Sequence, residues 1–135
     1  MGVEVPFVDL RAQYAALRDR IEPAVMAVME RAAFILGDEV SSFEERFAGF
    51  CGVEHCVGVA SGTDALLLAL RAAGIGPGDE VITAANTFTA TVMAIKASGA
   101  RPVLVDCRPG TALGDVDQVA AAITDRPRAL MPVQL

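Results

Sequence analysis

Cys56-Val57-Gly58-Val59-Ala60-Ser61-Gly62-Thr63-Asp64-Ala65-Leu66-Leu67-Leu68-Ala69-Leu70-Arg71-Ala72-Ala73 is the stretch on which the fold turns. Cys56 to Ala60 is short, apolar and carries two valines, the composition of a strand. Ala65 to Ala73 is rich in Leu and Ala, which favour helix. Ser61 to Asp64 lies between as a turn, so the stretch reads strand, turn, helix. The same unit recurs downstream. Gly74, Gly76, Pro77 and Gly78 punctuate the chain before an apolar strand from Glu80 to Ala84, and Asn86-Thr87-Phe88 then introduces a helix from Thr89 to Ser98. Gly99 ends that helix, Pro102 to Asp106 forms a third strand, Asp115 to Thr124 a further helix and Ala129 to Val133 a fourth strand.

The order βαβαβαβ, with short apolar strands, implies an α/β fold. Its sheet is largely parallel and covered on both faces, a three-layer α-β-α arrangement. Upstream the pattern is helical. Leu10, Tyr14, Leu17, Ile21, Val25 and Met29 recur at the spacing of one helical face up to Ala33, with Pro23 expected to kink or restart the helix. A second helix is predicted from Asp38 to Phe50, with Val40, Phe43, Phe47 and Phe50 on one stripe and Gly52 at its unwound end.

Composition narrows the function. The 135 residues are 53% hydrophobic and 21% charged, as in an ordinary globular domain. Asp+Glu 17 against Lys+Arg 11 gives a net charge of -6, so no basic field is available for nucleic acid or an anionic membrane. Apolar runs fall well short of the roughly 20 residues that span a bilayer. The opening Met-Gly-Val-Glu-Val-Pro lacks the charge and apolar core of a signal peptide, so a cytoplasmic protein is expected. The odd set Cys51, Cys56 and Cys107 argues against a disulfide framework. Their spacing, with His55, matches no zinc pattern, so buried thiols and no metal site are expected.

In open α/β sheets ligands collect at the carboxyl ends of the strands. Ser61-Gly62-Thr63 stands there at a helix start, where free N–H groups can hold a phosphate. The alternative is a helix capped by Ser61 or Thr63 with no ligand. Neither a G-x-G-x-x-G fingerprint nor a Gly-Lys-Ser/Thr loop follows the first strand. Asp64 suits the helix dipole but repels a dianion, so its side chain is expected to point away from a bound phosphate. Phe88 lies on the same sheet edge and could lie against a planar ligand or be one more core aromatic. Lys96, the single lysine, falls inside the helix after Phe88 and reads as a solvated surface residue.

These residues carry a resemblance. Gly37 through Phe43, Phe47 and Ala48, then Val59-Ala60-Ser61-Gly62-Thr63-Asp64-Ala65-Leu66, Gly76-Pro77-Gly78-Asp79-Glu80-Val81-Ile82, Asn86-Thr87-Phe88-Thr89-Ala90-Thr91 and Gly99-Ala100-Arg101-Pro102-Val103-Leu104-Val105-Asp106 resemble the N-terminal part of the DegT/DnrJ/StrS sugar aminotransferases. The likeness covers essentially the whole chain. It implies a fold-type-I enzyme whose cofactor, pyridoxal 5′-phosphate (PLP), joins a lysine as a Schiff base. An amino group then passes from a donor, usually glutamate, to a nucleotide-linked keto-sugar. On this resemblance Gly62, Thr63 and Asp64 would hold the cofactor phosphate and Phe88 would stack on its ring. Residues 1–135 would form an incomplete PLP-binding large domain, with N-terminal helices over 1–52 and βα units over 53–135.

The family's Schiff-base lysine and the acid facing the pyridine nitrogen are expected beyond Leu135, so no catalytic residue is assigned here, and Asp106 is read as a strand-end turn residue. The 135 residues alone are therefore expected to be inactive. Family active sites form at a dimer interface, so a homodimer is implied, with the helices from Leu10 to Phe50 packing on the partner. Two other readings remain: a non-catalytic phosphate-binding module, and a PLP-dependent sugar dehydratase of the same family.

Overall fold

Ile82, Ile95, Val81 and Thr83 are the largest fully enclosed side chains, and three of them lie on one strand. The computed structural model of the chain describes residues 5–125 and 127–134; of the six N-terminal residues read for a leader, the first four lie outside them. The chain divides into two units, Met1–Gly58 and Val59–Leu135.

The first unit is helical. Helix α1 (Leu10–Arg31) starts where the Asp9 carboxylate accepts the Ala12 N–H at 2.9 Å, and it closes at Ala32 in the left-handed region. It runs through Pro23 without restarting. Proline withholds one N–H from the ladder, and Asp19, four residues back, is exposed, so water can satisfy its carbonyl. Helix α2 (Asp38–Cys51) ends at Gly52, whose φ of 68° closes the helix without Cβ strain. Phe43, Phe47 and Phe50 form a row along it, with ring centroids 5.4 and 6.0 Å apart. Arg31 and Glu39 form an ion pair within this unit.

The second unit holds helices α3 (Gly62–Ala72), α4 (Thr89–Ser98) and α5 (Val116–Ala122) and strands β1 (Glu80–Ala84), β2 (Arg101–Val105) and β3 (Pro127–Met131). The sheet is parallel, in the order β2-β1-β3. Alternation along β1 sends successive side chains to opposite faces. Val81 packs with Leu70 of α3 and Ile95 of α4, joined by Ala129 and Met131 of β3. Ile82 shares a cavity of about 210 Å³ with Val119 of α5, Ile123 at its end and Leu130. Helices therefore lie on both faces, and the expected α-β-α layering is present.

Three expectations need correction. Cys56 to Ala60 is no strand: it joins no ladder, and the Gly58 N–H donates to the Glu44 carboxylate at 2.6 Å instead. Burial on both faces holds for β1 throughout, but Leu104 and Leu130 stay half exposed because β2 and β3 have open outer edges. The cysteines are not buried thiols, since Cys51 is exposed at the end of α2 and Cys56 and Cys107 are partly exposed. Among the described residues no helix is long and apolar enough to cross a membrane.

Candidate functional site

Helices α3 and α4 pack side by side, and their C-terminal ends meet. The Arg71 guanidinium donates to the Ala97 carbonyl at 3.4 Å, and a Cβ on Gly76 would lie 3.6 Å from the Ser98 carbonyl. Gly99, at φ 93°, sits so close under Pro77 that a Cβ would fall 2.8 Å from the proline Cγ. With 11 and 10 residues the helices are each about 15 Å long. Their N-termini therefore lie at the same end of the unit. Because α4 leaves directly from β1, that end is the carboxyl edge of the sheet.

The start of α3 is built by Ser61. Its extended backbone, φ -159° and ψ 164°, lets its hydroxyl accept the Asp64 N–H at 3.1 Å and donate to the Asp64 carboxylate at 2.7 Å, while its carbonyl accepts the Ala65 N–H. Capping leaves the N–H groups of Gly62 and Thr63 as the helix donors with no carbonyl a turn behind them. The space beside Gly62 is open: a Cβ there would meet nothing within 4 Å. The residues read from sequence as a turn are thus the first turn of the helix, and Asp64 folds back onto Ser61.

Phe88 stands at the N-terminus of α4 with 76% of its surface exposed in this chain. Beside it the Thr87 hydroxyl donates to the Thr91 hydroxyl at 2.8 Å, a pair that sequence reading passed over. Hydroxyls four residues apart on either side of a helix start were the available signal. Asp106 accepts the Cys107 N–H at 2.8 Å and its own N–H donates to Gln118, so it closes the turn after β2 as expected. In that turn the Asp117 N–H, then the Arg108 guanidinium, hold the Asp115 carboxyl below the ordinary carboxylate range. Ala84, Val105, Leu113, Val116 and Leu130 help line an apolar cavity of about 210 Å³ at this edge. Lys96 is exposed in the last turn of α4, at the opposite end.

A family model described as the DegT/DnrJ/EryC1/StrS aminotransferase family matches residues 15–135. The chain belongs to this aminotransferase family. A relative in the family, the UDP-N-acetyl-3-dehydro-alpha-D-glucosamine 3-aminotransferase of Acidithiobacillus ferrooxidans, is 49% identical over 97% of this chain and 36% of its own length. The crystal structure of Streptomyces venezuelae DesV in complex with a ketimine intermediate superposes with a TM-score of 0.90 at 47% identity, covering 95% of this chain and 34% of that one. The Escherichia coli GDP-4-keto-6-deoxy-D-mannose-3-dehydratase with bound hydrated PLP matches at TM-score 0.78 and 29% identity, over 84% of this chain and 31% of that one. The chain therefore spans about a third of the length of these relatives.

Proposed function

We propose that this chain is the N-terminal part of a PLP-dependent aminotransferase that transfers an amino group from glutamate to a nucleotide-linked keto-sugar, as a homodimer in the cytoplasm. One observation carries the reading: an uncovered helix start and an exposed phenyl ring share one sheet edge in a chain of this family. The residues present fit the cofactor's two ends. A phosphate monoester needs N–H donors in open space, which Gly62 and Thr63 offer, and the α3 dipole favours its charge. A flat pyridine ring needs an uncovered aromatic face, which Phe88 offers.

When bound, PLP supplies an electron sink that makes the bond changes at the amino-bearing carbon feasible. The chain's own residues bind and orient. Gly62 and Thr63 donate to the phosphate, Asp64 holds the Ser61 hydroxyl that caps α3, and Phe88 fixes the ring plane. Lys96, exposed and at the far end of α4, is not placed to join the cofactor, so these 135 residues bind PLP but do not transaminate alone. The apolar stripe of α1, exposed from Leu10 to Met29, supports a homodimer that covers it.

The protein expressed from its complete gene, supplied with glutamate and a UDP- or dTDP-linked keto-sugar, is expected to form 2-oxoglutarate and amino-sugar in equal amounts. Phe88→Ala should lower its affinity for PLP by about fivefold, the worth of one ring contact. Loss of a sugar hydroxyl with free ammonia released and no amino-sugar formed would replace this reading with the dehydratase. Saturable phosphate binding with neither product would replace it with the non-catalytic module.

A further inference from the structure

Phe88 is the exposed ring of the site, yet among the described residues no other aromatic ring stacks on it, so the direction in which it stands depends on its backbone. That backbone is held from both sides. The Thr91 N–H donates to the Phe88 carbonyl at 3.0 Å, and the Thr87 N–H donates to the Ala85 carbonyl at 3.1 Å. The Thr87 hydroxyl ties these two ends together: it donates to the Thr91 hydroxyl at 2.8 Å and lies 3.4 Å from the Phe88 carbonyl. Thr91 is only 6% exposed, so its hydroxyl is a fixed anchor rather than one that water could replace. Phe88 itself occupies the capping position of α4 and has no side-chain oxygen with which to fasten the helix start. The hydroxyl pair does that work from the flanking positions.

We propose that the Thr87–Thr91 hydroxyl pair is a positioning device for Phe88, fixing the angle at which the ring leaves the carboxyl edge of β1 and so the plane it offers to a flat ligand. The ligand part rests on the PLP reading above; the positioning part is a property of the chain itself. Thr87 and Thr91 touch no cofactor in this scheme and act only through Phe88.

The test uses the chain with Phe88→4-fluoro-Phe and follows the fluorine resonance, with pyridoxamine 5′-phosphate as the probe because it lacks the aldehyde that would react with Lys96. Thr91→Val keeps the branched shape and removes the acceptor, and Thr91→Ser keeps the hydroxyl. Thr91→Val is expected to move or broaden the fluorine line without probe and to weaken probe binding by about three- to tenfold, the range for one lost hydrogen bond. Thr91→Ser is expected to restore both. Thr87→Val, outside the helix, should repeat the Thr91→Val signature and serves if the buried substitution unfolds the chain. In a Phe88→Ala background Thr91→Val should change probe affinity less than about twofold, because independent sites add and coupled ones do not.

An unchanged fluorine line in both valine variants overturns the proposal, as does an equal loss of affinity with and without the Phe88 ring. A line that responds to Thr91→Val but never to the probe supports the positioning role and refutes stacking on the cofactor. A line that responds to the probe with equal affinity in all variants does the reverse.

Discussion

The two units of this chain carry the same kind of helical pattern and meet different fates. Tyr14, Leu17, Ile21, Val25 and Met29 recur along α1 at the spacing of one helical face, yet all are exposed. In the unit up to Gly58 the one buried described residue is Ala48. In the unit from Val59, Leu70 and Ile95 stand on shorter helices and are enclosed against Val81. Periodicity thus marks a face that a helix must cover. What covers it is decided by contacts that no local pattern contains.

The largest expected effect lies in the enclosed unit. Ile95→Ala should destabilise it by about 3 kcal/mol in urea unfolding, through lost transfer energy and a cavity. Met29→Ala, on the exposed stripe, should change stability by less than about 0.5 kcal/mol at concentrations where the chain is monomeric. A Met29→Ala loss that matches Ile95→Ala and grows with protein concentration would break the contrast and show the stripe covered in solution.

A smaller effect sharpens the contrast within the sheet. Glu80 is buried and its carboxylate accepts from the Arg101 guanidinium at 2.5 and 3.1 Å, while the Arg101 side chain is 70% exposed. Removing the arginine strands a desolvated carboxylate, whereas removing the charge from Glu80 leaves an arginine that water can solvate. Arg101→Met should therefore cost about 2 kcal/mol and Glu80→Gln about 1 kcal/mol in the same assay. Equal losses would mean that water reaches Glu80. The smallest effect is local: Ser61→Ala should cost about 1 kcal/mol, seen as faster amide exchange in the first turn of α3. An unchanged exchange rate at Asp64 would show that the cap contributes nothing.

How much of this was legible from residues depends on what each element needs. β1 was expected at Glu80–Ala84 and α4 at Thr89–Ser98, and both lie there, because glycines and Phe88 mark their ends in the local sequence. β2 begins one residue earlier than expected and β3 two, since strand limits follow the partner strand rather than the strand's own composition. α3 begins at Gly62 rather than Ala65 because Ser61 caps it, a hydrogen bond visible only once the Asp64 N–H is placed. Cys56 to Ala60 failed as a strand because no strand of the sheet pairs with it, which its own composition does not reveal. At the site, Gly62, Thr63, Asp64 and Phe88 could be picked out from their place after apolar stretches. The Thr87–Thr91 pair left only a weak signal, two hydroxyls four residues apart on either side of a helix start.

The strand order also has a consequence in time. Within this sheet β1, the middle strand, comes first in the chain, and a single helix separates it from β2, while β3 lies further on. Closing the nearer loop is the cheaper step. The growing chain can therefore assemble its centre first, with Pro77 already seated on Gly99, and each later strand finds a finished edge to join.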